Sequence, residues 1–110
     1  MAQNFRNDLQ SAVGTVAQTL VTGADYDAVI GIRCCNILTS TIEVDVYIVN
    51  SGNKYLAKGV VIPPNSAIEL IQGGAKIVLK NGDVLTAVSN TASSCDIVTS
   101  YISQISSEEE

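Results

Sequence analysis

The stretch IEVDVYIV at residues 42–49 is the part of the sequence that decides the fold. Apolar and polar side chains alternate along it with a period of two, which is typical of a β-strand with one buried face. It therefore predicts a strand whose two faces meet different surroundings. The predicted inward residues are Ile42, Val44, Val46 and Ile48, and the predicted outward residues are Glu43, Asp45 and Tyr47.

Further strand-like runs lie on both sides of this stretch, separated by turn signals at short intervals. Val, Ile and Thr together account for 33 of the 110 residues, and β-branched residues favour strands. The run 55–62 is predicted to form a hairpin with 42–49. Asn81-Gly82 is a strong hairpin turn signal and is predicted to join 76–79 to 84–89. The predicted strands are 15–21, 28–38, 42–49, 55–62, 67–71, 76–79, 84–89 and 95–105.

About eight short strands in 110 residues predict an all-β fold with a single β-sandwich, of the jelly-roll or immunoglobulin-like kind. The length suits one domain. We assign the sandwich to residues 15–105. Residues 106–110 form an acidic C-terminal tail, and residues 1–14 precede the first predicted strand.

Residues 1–14 are predicted to form an extended N-terminal arm. Their few apolar side chains, Phe5, Leu9 and Val13, recur at i, i+4 and i+8, a spacing that a short helix would also explain. We favour an arm because Gly14 ends the stretch and the apolar residues are few. Phe5, Leu9 and Val13 are then the candidate contacts to a partner.

The composition argues against several classes of function. The chain has no His, which excludes His-based catalytic triads and His-ligated zinc. Lys and Arg number 6 against 11 Asp and Glu, a balance unsuited to a phosphate backbone. We expect no nucleic-acid partner, no cofactor, no metal site and no catalytic residue. The expected protein is not an enzyme.

The three cysteines, Cys34, Cys35 and Cys95, have no zinc-like spacing, and their odd number argues against a complete disulfide framework. Adjacent residues on a strand point to opposite faces, so one of the pair could face Cys95 on a neighbouring strand. We expect reduced thiols that pack as small apolar groups.

The first twelve residues lack the apolar core of a secretion signal. The apolar runs of the chain are also far shorter than the roughly 18–20 residues that span a bilayer. We expect synthesis in a cytoplasm and no membrane partner.

Two tyrosines suggest an alternative function. Tyr47 and Tyr55 fall on the predicted hairpin and would share an exposed strand face. Exposed aromatic rings serve in the recognition of sugars and of other proteins. A receptor-binding or glycan-binding module is therefore the second hypothesis, with Tyr47 and Tyr55 as its candidate residues.

The order of motifs along the chain resembles the small virion structural proteins of tailed bacteriophages, notably contractile-tailed phages of marine cyanobacteria. The resemblance extends from Met1 to about residue 105, and the cysteines and the terminal Glu run depart from it. The motifs are MAQNFRNDLQSAVG at 1–14, YDAVIGI at 26–32, TIEVDVYI at 41–48, LAKGVVIPPNSAIEL at 56–70 and LKNGDVLTAVSNTASSCD at 79–96.

The resemblance implies a non-enzymatic protein located in the virion and made in the cytoplasm of the host. Its partners would be capsid or tail subunits and copies of itself, contacted through the arm and through exposed sheet edges. Capsid decoration is the favoured position, and a neck, tail or baseplate component is the alternative within this class.

Overall fold

The computed structural model describes residues 4–23, 26–71 and 77–103. In these residues the chain forms nine β-strands and no helix. The strands are β1 (Asn4–Val13), β2 (Gln18–Thr22), β3 (Tyr26–Asn36), β4 (Ile42–Val49), β5 (Asn53–Ile62), β6 (Ala67–Glu69), β7 (Ile77–Lys80), β8 (Val84–Ser89) and β9 (Cys95–Ser103). Strands β4 and β8 have the predicted bounds.

The strands form two antiparallel sheets packed against each other. The first sheet has the order β1-β9-β3, with β6 and β7 both paired to successive stretches of β3, and the second has the order β2-β8-β4-β5. The first strand thus pairs with the last, β2 with β8, β3 with β6 and β7, and β4 with β5. This rolled-up order is that of a jelly roll. The predicted all-β sandwich is confirmed.

Branched aliphatic side chains from both sheets fill the space between them. Ile32 of β3, Ile97 of β9 and Leu85 of β8 are fully buried in one cluster. The predicted inward row of β4 belongs to this core: Ile42, Val44 and Val46 are buried and Ile48 is half-buried. The hairpin predicted between 42–49 and 55–62 is confirmed by the antiparallel pairing of β4 with β5.

Residues 4–13, predicted as part of an arm, instead form an edge strand of the first sheet. β1 pairs with β9 without interruption from Asn4, opposite Ser103, to Gln10, opposite Ile97. The arm prediction was wrong here because an edge strand is held mainly by its backbone ladder, which needs few apolar side chains. The remaining residues 1–3 of the predicted arm lie outside the described residues.

The hairpin predicted at Asn81-Gly82 is also wrong, although the turn itself is present. The N–H of Asp83 donates to the carbonyl of Lys80 at 3.0 Å, but β7 belongs to the first sheet and β8 to the second. The turn therefore carries the chain between the sheets. Gly23 fixes this corner, because its N–H donates to the Asp83 carbonyl at 2.7 Å and a Cβ there would lie 2.2 Å from the Lys80 carbonyl oxygen.

The Asp83 carboxylate is the main side-chain acceptor at this corner. The backbone N–H of Lys80 donates to its Oδ2 at 2.9 Å, and the Asn50 side-chain amide donates to its Oδ1. Both hydrogen bonds favour the charged form, so they hold the pKa of Asp83 below its usual value, the Lys80 bond having the larger effect.

We expect Asp83→Asn to lower the melting temperature by several degrees at pH 7. Because the folded-state pKa of Asp83 is depressed, its stabilising effect is present above the unfolded-state pKa of about 4 and is lost as the pH falls through the folded-state value. Thermal unfolding of both proteins between pH 7 and pH 2.5 checks this. A difference in melting temperature that does not narrow below pH 4 would contradict it.

A buried asparagine side chain holds the C-terminal end of β3 to neighbouring segments. Asn36 is fully buried, and its Nδ2 donates to the carbonyls of Ser40 at 2.8 Å, Ile62 at 3.0 Å and Pro63 at 3.1 Å. Its Oδ1 accepts from the N–H of Leu38 at 2.9 Å. One side chain thus joins the end of β3 to the following loop and to the end of β5.

Candidate interaction surface

Phe5 and Leu9 lie on the outer face of the first sheet, the face turned away from the core. They alternate along β1 with Arg6 and Asp8, which lie on the inner face opposite Tyr101 and Thr99 of β9. The side chains of Phe5 and Leu9 are 76% and 65% exposed. Two large apolar side chains so exposed on one strand indicate an interaction surface.

Neighbouring strands extend this apolar surface. Val98 lies opposite Leu9, and Ile102 lies opposite Phe5. Val98 is exposed and Ile102 is half-buried, while Val78 of β7 is exposed farther across the same sheet. We call this set, Phe5, Leu9, Val78, Val98 and Ile102, the outer apolar face.

A hollow of about 600 Å³ opens beside Phe5. It lies where β3 changes register against β9 between Val29 and Gly31. A Cβ added at Gly31 would approach only Ser100 Cβ, at 4.0 Å, so the backbone of β3 is uncrowded at this register change. The hollow has both apolar and polar lining residues. It is lined by Phe5, Arg6, Asn7, Ile30, Ser100 and Tyr101.

Val13, the third predicted partner contact, is instead part of the core. The register of β1 against β9 shifts between Gln10 and Val13, and Ala12 has a φ of 54°. The extra residue turns Val13 inward, opposite the buried Cys95, where it is 1% exposed. A side chain so buried cannot contact a partner while the domain is folded.

Tyr47 and Tyr55 lie on the second sheet, away from Phe5 and Leu9. They are cross-strand neighbours, with ring centroids 5.1 Å apart. Tyr47, predicted to face outward and be exposed, is only 9% exposed, and Lys58 Nζ lies 4.5 Å from the centroid of the Tyr55 ring. Of the two rings, Tyr47 is therefore buried while Tyr55, 43% exposed, keeps part of its surface open to solvent.

The three cysteines are free thiols. Cys34 and Cys95 are buried on the inner face and Cys35 is half-buried. A hydrogen bond to Cys95 and burial both raise the pKa of Cys34, so this thiol stays protonated. Among the described residues, no three His, Cys, Asp or Glu side chains are grouped as metal ligands would be.

Comparison with protein-family models, curated proteins and solved structures gives no match to this chain. In residues 4–23, 26–71 and 77–103 there is also no helix of the length and apolarity needed to span a membrane. The outer apolar face and the order of motifs along the chain are therefore the features that bear on its function.

Sequence reasoning did not identify Val78, Val98 and Ile102 as surface residues. Val98 lies between the buried residues Ile97 and Thr99. Because here the apolar Val98 is outside and the polar Thr99 inside, hydrophobic alternation gives no signal that places Val98 on the surface.

Proposed function

We propose that this chain is a non-enzymatic structural protein of a tailed-phage virion. It binds an apolar surface of a capsid subunit through the outer apolar face and decorates the capsid. The exposure of Phe5 and Leu9 on one side of β1 is the observation that supports attachment. The motif order along the chain supports the virion as the place.

The outer apolar face is suited to this role energetically. Fully burying one Phe or Leu side chain contributes about 1.5–3 kcal/mol, and part of this is offset by the freedom lost on association. One chain therefore binds modestly through this face. Many identical copies on a lattice make such modest contacts sufficient when copies are linked to each other.

The number of copies of this chain in each particle distinguishes the possible positions. Quantitative mass spectrometry of purified particles measures the ratio of this chain to the major capsid protein. A ratio comparable to one supports capsid decoration. A small fixed number would replace decoration with a neck, tail or baseplate position, and absence from the particle would overturn the proposal.

The double variant Phe5→Ser/Leu9→Ser is expected to fold but to bind particles at least about tenfold more weakly, because it removes two large side chains from the contact. Binding to particles that lack the protein is measured by cosedimentation. The matched control is Leu56→Ser/Val61→Ser on β5, which removes two exposed apolar side chains from the other sheet. Equal binding by both double variants would contradict the role of the outer apolar face.

A further inference from the structure

We infer that β1 is a homodimer interface, in which it pairs antiparallel with β1 of a second copy around a twofold axis at Asn7. The inference deepens the proposed function and rests on it for the place of the dimer in the particle. The pairing itself is argued from the edge and the side chains of β1.

β1 has the properties of an edge able to accept another strand. It has ten residues, and its pairs with β9 are regular from Asn4 to Gln10. In the part of the chain that the structure describes, β1 pairs on one side only, with β9. Its outer edge therefore presents backbone groups that another strand can bind.

The other edges among the described strands are short or irregular. β6 has three residues, β7 four and β2 five. β5 is long, but its register against β4 shifts twice. Gly59 in β5 has a φ of 65°, and its N–H donates to Asp45 Oδ1 at 2.6 Å. Bulges and lysines such as Lys54 and Lys58 block strand addition at such an edge.

The sequence of β1 is complementary to itself. Around Asn7, the order Asn4-Phe5-Arg6-Asn7-Asp8-Leu9-Gln10 places a charge and then an apolar residue on each side. In an antiparallel pair centred on Asn7, Phe5 lies opposite Leu9 of the second copy and Arg6 lies opposite Asp8 of the second copy. Apolar and opposite-charge cross-strand pairs both stabilise a sheet.

Other registers lose this complementarity. A centre at Asp8 would place two aspartates opposite each other, and a centre at Arg6 would place two arginines opposite each other. Like charges directly opposite destabilise the pair. The charges of β1 therefore specify one register.

Arg6 and Asp8 are available for these contacts. Within the described residues their side-chain hydrogen-bond partners are neutral: Arg6 Nε donates to Ser103 Oγ at 3.2 Å, and Asp8 Oδ2 accepts from Gln10 Nε2 at 3.1 Å. Arg6 is exposed and Asp8 is half-buried. In the dimer, Arg6 of one copy and Asp8 of the other form an ion pair, so each side chain gains a charged partner.

A twofold axis normal to the sheet keeps both copies of Phe5 and Leu9 on the same outer face. The outer apolar faces of the two copies then adjoin along the paired β1 strands. The dimer thus presents one surface with two equivalent halves to a partner, which links the copies as the proposed function requires.

The test is a charge exchange, measured on the purified protein by sedimentation over a range of concentrations. We expect the wild type to dimerise. Arg6→Asp and Asp8→Arg should each lower the association constant by about tenfold or more, because each change makes two symmetry-related pairs repulsive. An equimolar mixture of the two variants should dimerise again, since both aspartates of the first variant then lie opposite the two arginines of the second.

The mixture also controls for folding, because a misfolded variant would not be rescued by its counterpart. Lys58→Asp on β5 makes the same change of charge on another edge and should dimerise as the wild type does. A wild type that stays monomeric, single variants that dimerise normally, or a mixture no better than the single variants would each overturn the inference.

The register is tested by cross-linking. In a Cys35→Ser background, Asn7→Cys should be joined between copies by a short bis-maleimide, because directly opposed Cβ atoms are about 5 Å apart. Ser11→Cys is exposed on the same strand, but it should not be cross-linked to Ser11→Cys of the second copy. Cross-linking at Ser11→Cys but not at Asn7→Cys would overturn the register.

These measurements use no particles, so they separate the two proposals. A normal dimer that does not bind particles contradicts the proposed function alone. A wild type that binds particles but stays monomeric in solution contradicts the dimer alone.

Discussion

Asn36→Asp is expected to destabilise the domain by roughly 3 kcal/mol or more, because buried groups that lose their hydrogen-bond partners cost about 1–3 kcal/mol each. The wild-type amide donates to three carbonyls. An aspartate carboxylate of nearly the same shape cannot donate, and it adds a buried charge facing those oxygens. Urea unfolding at pH 7 measures the loss.

The control for this prediction is Asn65→Asp, which makes the same chemical change at an exposed turn residue. Exposed substitutions away from such networks change stability by about 0.5 kcal/mol or less. If the two variants unfold at the same urea concentration, the amide of Asn36 does not stabilise the fold as its contacts indicate.

Val46→Asp is expected to prevent folding. Val46 is fully buried in the core. The free energy of unfolding of a small domain is only about 5–15 kcal/mol. Burying an unpaired carboxylate costs a large part of that or more. The expected result is an unfolded chain by circular dichroism, recovered mainly in the insoluble fraction after expression.

Two further variants calibrate the result. Val46→Thr keeps the shape of the side chain and buries one hydroxyl, so we expect a loss of about 1–3 kcal/mol with the fold retained. Val78→Asp places the same charge at an exposed strand position and should fold normally. A soluble Val46→Asp with an unchanged melting temperature would show that this face of β4 is not in the core.

The parts of the fold that the sequence predicted are those determined by local pattern. The alternation in 42–49 predicted the bounds of β4 and the burial of Ile42, Val44 and Val46, because a strand with one buried face must alternate. The turn between β4 and β5 connects strands that are neighbours in the sheet. Local signals were sufficient for that hairpin.

The wrong predictions concern segments whose place in the fold depends on contacts with distant parts of the chain. β1 was predicted as an arm because its partner, β9, lies at the other end of the sequence. The Asn81-Gly82 turn is present, but contacts with Gly23 and Asn50 form the corner at which β7 and β8 separate into different sheets. Residue patterns near the turn carry no information on those partners.

The candidate site shows the same division. Phe5 and Leu9 were selected as apolar residues in a polar segment, and both are exposed. Val13 was selected by the same spacing and was wrong, because the register shift after Gln10 reverses its side of the strand. Tyr47, predicted to be exposed, is instead buried, with the ring of Tyr55 packed beside it. Whether Phe5, Leu9 and Tyr55 contact a partner stays a prediction.

The unequal edges of the two sheets have a consequence for how far association can proceed. An interface that uses the same patch on both copies is satisfied once two copies have met, whereas two different complementary edges would recruit copy after copy into a filament. The bulge at Gly59 and the short outer strands β2, β6 and β7 leave no second long, regular edge among the described strands. A protein that associates through β1 alone would therefore stop at the dimer and not form fibres at high concentration.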